Sequence, residues 1–298
     1  MKMLPEAEQE STLLSLLDES DFLSKIPKVT ESISKKEWTE FTEFLTQVMS
    51  NKKTAQTFLS IDKLRSFFFV NSQGEMMQHQ IDFLESEFGK DNCKEYLKES
   101  KIGAPPFILD YRYSTTHNSI HHLYHIARYH NQHSKDIENV ETVVEWGGGY
   151  GNMCKVFFNY AKQLKTYVIF DLPECLAIQN LYLSSVFGRD KVNLSTDGNV
   201  EKGKINLLSF EKFDRSANFS GDLFLSTWAL SESPKFYHEQ IEELNWFNCK
   251  KLLLSFHQCG DHIPFMEEST NLGLLAKKHG ASLKNVKIIP GINIYAFK

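Results

Sequence analysis

The sequence predicts an α/β protein: a mostly parallel sheet with helices on both faces, behind a helical N-terminal half. Two observations carry this expectation. From residue 142 onward, short apolar, β-branched runs alternate with segments of helical periodicity. Glycine is also divided unevenly, with three residues in 1–139 and twelve in 140–298. Glycine collects where a backbone turns tightly or lets something approach, so the halves are built differently. We therefore expect a helical domain over 1–139 and a sheet domain over 140–298. The 298 residues are enough for both.

In the first half, Trp38, Phe41, Phe44, Leu45 and Val48 recur at helical spacing with polar residues between them. Thr12–Leu17, Thr57–Phe69 and Gln80–Phe88 give shorter patterns of the same kind. Phe67, Phe68 and Phe69 are read as core. At 103–107, GAPPF breaks the pattern, and Ala104 and Pro105 should be extended because each precedes a proline. A further helix is expected over 116–130.

The second half opens with a strand at Thr142–Trp146, then a helix over 152–164 and a second strand at Tyr167–Phe170. Pro173 suits the first turn of the next helix, which stops near Gly188. DLFL at 222–225 and KLLLSF at 251–256 read as buried strands around a helix over 234–244. A helix over 264–279 follows. VKIIPGINIYAF closes the chain as two strands about Pro290-Gly291, one of them antiparallel to the sheet. In such sheets ligands bind beyond the carboxyl ends of the strands, where the strand order reverses.

Composition narrows the partners. The chain is 41% hydrophobic and 24% charged, ordinary for a globular protein, and its net charge of −5 argues against nucleic acid. No apolar run reaches the roughly 18 residues of a membrane span. The acidic start, MKMLPEAEQEST, does not read as a secretory leader. Five cysteines without a CxxC pair fit reduced thiols, so a cytoplasmic protein with a small-molecule partner is expected.

The most informative chemistry is Glu145-Trp146-Gly147-Gly148-Gly149-Tyr150-Gly151, between a strand and a helix. Gly147, Gly149 and Gly151 let the backbone fold tightly against a ligand. A dinucleotide fingerprint, G-x-G-x-x-G, would need glycine at 152, where Asn152 stands. An acidic residue two positions before the first glycine instead suits an ammonium group. Asp171, at the end of the second strand, can accept both hydroxyls of a ribose. Capping the following helix is its plainer role, and both roles are compatible.

VVEWGGGYG followed by YVIFDLP resembles the cofactor site of class I S-adenosylmethionine-dependent methyltransferases. The glycine loop with Asp-Leu-Pro is similar to small-molecule O-methyltransferases, and DLFLSTWALSE at 222–232 to bacterial sugar O-methyltransferases. The likeness covers roughly residues 110–260. It implies a Rossmann-like sheet and S-adenosylmethionine as cofactor. By the same implication Glu145 lies near the methionine amino group, Gly147, Gly149 and Gly151 line the cofactor, and Asp171 holds the ribose. The chain departs from the pattern in lacking a clear adenine-binding acid after the third strand. Asp197 is the candidate, with 207–210 as the alternative edge and a solvated turn as the plainer reading of Asp197.

Methyl transfer from a sulfonium needs an aligned acceptor oxygen and gains from a general base. His257, directly after the fifth strand, and Glu232, just after the fourth, are the catalytic candidates. A hydrogen bond at a strand end, and favourable charge before a helix, are their plainer roles. His117, His121 and His125 are spaced to share one helix face, which can hold a metal. Without a neighbouring carboxylate or cysteine they read as polar lining, with His117 or His121 as an alternative base; no metal is expected. The expected activity is O-methylation of a hydroxyl on a sugar or glycan precursor. The N-terminal half would cover the acceptor or mediate homodimerisation. The alternatives are an aromatic or polyketide-like acceptor, a non-catalytic S-adenosylmethionine-binding module and, more distantly, a nicotinamide-dependent oxidoreductase.

Overall fold

The computed structural model describes residues 1–19, 36–68, 74–108, 110, 112–132, 136–215, 219–257, 266–287 and 292–298. The first half is helical, as expected: α1 (Glu6–Asp18), α2 (Lys36–Met49), α3 (Lys52–Gln56), α4 (Asp62–Phe68), α5 (Glu75–Phe88), α6 (Lys90–Tyr96) and α7 (His117–Gln132). The helix expected over 57–69 is instead a 3-10 turn at Phe58–Ser60 followed by α4, and Phe69 lies outside the described residues. The break lets Phe58 and Leu59 both be fully buried, with Leu59 N–H donating to the Gly103 carbonyl at 2.8 Å. Ala104 is not extended: it takes φ 54° in a turn closed by its N–H on the Lys101 carbonyl.

The second half runs β1 (Thr142–Trp146), α8 (Asn152–Tyr160), β2 (Thr166–Phe170), α9 (Pro173–Phe187), β3 (Val192–Leu194), β4 (Ile205–Leu208), β5 (Leu223–Thr227), α10 (Ala229–Glu232), α11 (Lys235–Glu243), β6 (Lys251–His257), α12 (Met266–Lys278), β7 (Ser282–Lys287) and β8 (Ile292–Phe297). The third strand, expected near Asp197 or 207–210 without bounds, is two strands, β3 and β4; at three and four residues they are too short to show a period. The sheet order is β3-β4-β2-β1-β5-β6-β8-β7, with β8 antiparallel to β6 and to β7 and the other pairs parallel. This is the expected Rossmann-like arrangement with an antiparallel C-terminal pair. The chain leaves β1 for β2 on one side and later returns to β5 on the other, so the reversal lies at the carboxyl end of β1.

Strand alternation splits the core in two. Val143, Tyr167, Ile169, Leu223 and Leu225 face one side, where they join Phe157, Leu176 and Leu183 and also Leu13, Phe41, Phe58 and Leu123 of the N-terminal helices. Val144, Val168, Phe170, Phe224 and Leu252 face the other, under Leu230, Ile241 and Leu272. The N-terminal half thus shares a continuous core with one face of the sheet. A buried ion pair crosses the same seam: Lys155 of α8, whose side chain is 0% exposed, meets Glu99 at 2%. Burial holds the Lys155 ammonium well below its ordinary pKa.

Cys93, Cys154, Cys175 and Cys249 are unpaired and buried. No helix among the described residues is long and apolar enough to cross a membrane.

Candidate functional site

At the carboxyl end of β1 the chain turns through the glycine loop. Gly147 N–H donates to the Phe170 carbonyl at 2.8 Å, and Gly151 N–H closes the loop on the Gly148 carbonyl at 2.8 Å. Gly147 has φ +76°, and a Cβ there would fall 2.0 Å from Ala229 Cβ. The loop therefore presses directly on the start of α10, and only glycine fits.

A cavity of about 380 Å³ opens beside this loop. The glycine loop, Glu145, Asp171 and Cys175 form one wall, and Thr227, Trp228, Glu232 and His257 the strand-end wall. Phe41, Phe67 and Phe68 of the N-terminal half and Asn118 and His122 of α7 complete it. The structure thus brings together Glu145, Gly147, Gly149, Asp171, Glu232 and His257. Two expected cofactor residues are elsewhere. Gly151, φ +97°, packs against Leu183 where α8 begins, so its role is to let helix and helix meet rather than to line the cavity. Asp197 is exposed and spends its carboxylate on its own turn, accepting from Ser195 Oγ and from the backbone and side-chain N–H of Asn199. It does not line the cavity, so the plainer reading of Asp197 holds. Phe67 also differs from expectation: it is 43% exposed and lines the cavity, whereas Phe68 packs against the core and lines the cavity as well.

Glu145 is 1% exposed and accepts from Tyr167 Oη at 2.9 Å. Burial, helped by the nearby Asp171 charge, pushes its pKa up to about 8. Asp171 is partly buried, and desolvation raises it to about 6 although Leu172 N–H and Gln179 Nε2 both donate to it. The proposed capping role is not what Asp171 does: the N-cap position is Leu172, which caps with no side-chain bond. Gln179 Nε2 also donates to the Gly149 carbonyl at 2.9 Å, tying the loop to Asp171. Sequence reading passed over Gln179, yet a polar residue inside the apolar run LAIQNLYL was the available signal.

Trp228 was also missed. It sits at φ +68°, ψ −45°, a strained backbone for a bulky residue. Its N–H donates to the Ser255 carbonyl at 2.6 Å and its Nε1–H to Asn293 Oδ1 at 3.1 Å. Its ring stacks between His121 (centroids 5.2 Å apart) and His257 (5.6 Å, 3° between planes). The stack fixes the imidazole of His257 at the cavity edge, and burial lowers its pKa, so it is neutral at neutral pH.

The histidines of α7 have separate duties. His121 and His125 are fully buried; Nδ1 of His121 meets Gln80 Nε2 at 3.0 Å and Nδ1 of His125 meets Tyr295 Oη at 2.6 Å. His117 is partly buried and does not line the cavity. His121 and His117 are thus poorly placed as bases. His133 lies outside the described residues. Among the described residues no three His, Cys, Asp or Glu side chains are grouped to hold a metal ion. A larger, open cleft of about 890 Å³ at the amino ends of β1 and β2 contains none of the expected site residues.

No family model and no curated protein matches the chain. Among solved structures it is similar to an O-methyltransferase family protein from Burkholderia thailandensis, at 12% identity over 98% of this chain and 95% of that one, TM-score 0.38. It is also similar to magnesium protoporphyrin IX methyltransferase from Synechocystis PCC 6803, solved with S-adenosylmethionine bound, at 12% identity, 77% and 100% coverage and TM-score 0.36. A third is an S-adenosylmethionine-dependent methyltransferase from Aquifex aeolicus, at 15% identity, 56% and 88% coverage and TM-score 0.36. The fold class follows from the strand order itself.

Proposed function

We propose that this protein is an S-adenosylmethionine-dependent O-methyltransferase acting on a hydroxyl of a sugar or glycan precursor. The observation that carries the reading is the acidic lining of the cavity. Glu145, Asp171 and Glu232 line it, and no lysine or arginine does among the described residues. Residues 69–73 and 258–265, which follow cavity residues in the chain, contain no lysine or arginine either. A dinucleotide would bring two phosphates into this acidic site, whereas S-adenosylmethionine brings an ammonium and a sulfonium. Its donor groups fit the residues present: the buried carboxylate of Glu145 for the ammonium and Asp171, at the end of β2, for the ribose.

Bound there, the cofactor supplies an activated methyl group. The chain's task is to align a hydroxyl and accept its proton. His257 and Glu232, at the strand-end wall, and His122, across the cavity on α7, are the groups available for that proton. The polar set of Asn118, His122, Glu232 and His257 supports an acceptor with several hydroxyls. Phe41, Phe67 and Phe68 give that acceptor one apolar wall, and the same rings are what favours the second reading, an aromatic hydroxyl. The buried free thiols accord with a cytoplasmic setting.

Methyl transfer from labelled S-adenosylmethionine into fractionated cell extract, followed by mass spectrometry, tests the activity. Label in a carbohydrate fraction supports the first reading and label in an aromatic product the second. Absence of any transfer by protein that binds the cofactor leaves the non-catalytic module.

Two outcomes are expected for binding. Asp171→Ala should weaken S-adenosylmethionine by about 1.5–3 kcal/mol, the scale of lost charge-assisted hydrogen bonds, measured by calorimetry. Unchanged affinity would remove Asp171 from the site. The second concerns pH. Glu145, with its pKa near 8, carries a proton at neutral pH in the free protein. An ammonium beside it favours the carboxylate and expels that proton. Affinity should therefore rise with pH between 6 and 8, and Glu145→Gln should flatten the slope. Equal slopes in the two proteins would contradict the pairing.

A further inference from the structure

Resting on that methyltransferase reading, we propose that His122 is the group that takes the acceptor's proton, its tautomer set by a buried chain running from Glu99 through Ser119 and Asn152. Ser119 Oγ lies 2.5 Å from Glu99 Oε2, 3.1 Å from Lys155 Nζ and 3.2 Å from the Asn152 side-chain amide. A hydroxyl has one proton to give. The carboxylate at 2.5 Å takes it, because a charged acceptor at so short a distance forms the stronger bond. Ser119 Oγ therefore accepts, from the Lys155 ammonium and from the amide NH2 of Asn152.

The structure sets Asn152 Nδ2 at 3.0 Å from His122 Nδ1 and Asn152 Oδ1 at 3.2 Å from Ser119 Oγ. With the Ser119 proton committed to Glu99, the amide is assigned the other way round, its NH2 to Ser119 and its oxygen to His122 Nδ1. Amide oxygen and nitrogen are told apart by such partners. The oxygen can only accept, so the imidazole proton resides on Nδ1. The Nε2 lone pair is left without a partner among the described residues, on a ring that lines the cavity. With Glu99 ionised by its pairing with Lys155, the opposite orientation would require two protons from Ser119. The side chains of Asn152, Lys155 and Ser119 are buried at 0%, and that of Glu99 at 2%.

His257 lacks this definition. Its ring is held by stacking on Trp228, and no hydrogen bond among the described residues chooses its tautomer. An imidazole whose Nδ1–H is oriented by an acceptor, with Nε2 facing the reacting group, is how a catalytic base is held. Burial keeps His122 neutral, with a pKa down to about 3. That low basicity is sufficient, because the hydroxyl becomes strongly acidic as its oxygen gains the methyl group. In the step, the acceptor oxygen forms the new C–O bond as the C–S bond breaks. The sulfur keeps that bonding pair, and the O–H proton passes to Nε2 of His122. The resulting imidazolium is stabilised by Asn152 at Nδ1.

Two measurements test this. Long-range proton–nitrogen NMR of the full-length protein labelled with 15N-histidine reports the tautomer of each ring, with His122 assigned by the signal missing from His122→Gln. A neutral Nδ1–H tautomer is expected, and an Nε2–H tautomer overturns the proposal whatever the variant does. In the labelled-methyl assay, His122→Gln should lose at least 100-fold in turnover, the scale of general-base catalysis, while holding S-adenosylmethionine within threefold of wild type. His257→Gln should lose less than tenfold. The reverse order assigns the proton to His257 and overturns the proposal. Wild-type protein that binds S-adenosylmethionine but transfers no methyl group overturns the enzyme reading itself, and the base assignment with it.

Discussion

Lys155→Met is expected to lower the unfolding free energy by about 3–5 kcal/mol, the cost of leaving a buried charge without its partner. Glu99, 2% exposed, would keep the hydroxyls of Thr116 and Ser119, donating at 2.8 and 2.5 Å, and the Ser100 N–H at 3.0 Å, but no cation. Both ends of the pair lie in the seam between the N-terminal helices and α8, so the loss should register as global unfolding at lower urea. The double variant Lys155→Met, Glu99→Leu removes both charges and should recover most of the stability, since well-packed apolar replacements are often neutral. Urea titration followed by tryptophan fluorescence measures all three proteins. A loss below about 1 kcal/mol for the single variant would mean that the pair is hydrated in solution.

The second large effect is expected at Gly147. Alanine there meets Ala229 Cβ at 2.0 Å and must hold φ +76°. Crowding and strain each cost about 1–3 kcal/mol, so the loop should shift off Ala229 and cofactor affinity fall by roughly 30-fold or more. The two causes can be separated. Gly147→Ala with Ala229→Gly relieves the crowding and leaves the strain. Gly203→Ala, at φ +80° with open space around its Cβ, gives the strain alone and far from the cavity. If the double variant binds no better than the single one, the contact with α10 is not what shapes the loop.

Much of this architecture was readable in the sequence because it follows from local rules. TVVEW and YVIF have the length and β-branched content of buried parallel strands, and they occupy β1 and β2 within a residue of the expected bounds. Glu145, Gly147, Gly149 and Asp171 were found through their spacing about a strand-to-helix turn. Asp197 was misplaced because β3 and β4 are so short that the loop between them could not be assigned to a strand end. Gly151 was read as lining because a glycine pattern does not say which glycine faces a ligand and which faces Leu183.

Other parts of the site depend on tertiary contacts that no local pattern records. Phe67 and Phe68 look like core in any window, yet α4 places both at the cavity, with Phe68 against Gly149. His122 stood in a run of histidines with nothing to distinguish it until α7 packed on α8 and brought Asn152 to its Nδ1. The acidic character of the cavity is likewise a property of the assembled walls, since Glu145, Asp171 and Glu232 are spread over 88 positions, from 145 to 232 inclusive.

The central claim is that this acidic cavity holds S-adenosylmethionine. Isothermal titration of the full chain with S-adenosylmethionine, and separately with its demethylated product, tests it most directly. Saturable binding at one site per chain is expected, weakened by Asp171→Ala and by Gly147→Ala. Absence of binding of both compounds to protein shown to be folded by circular dichroism would contradict the claim.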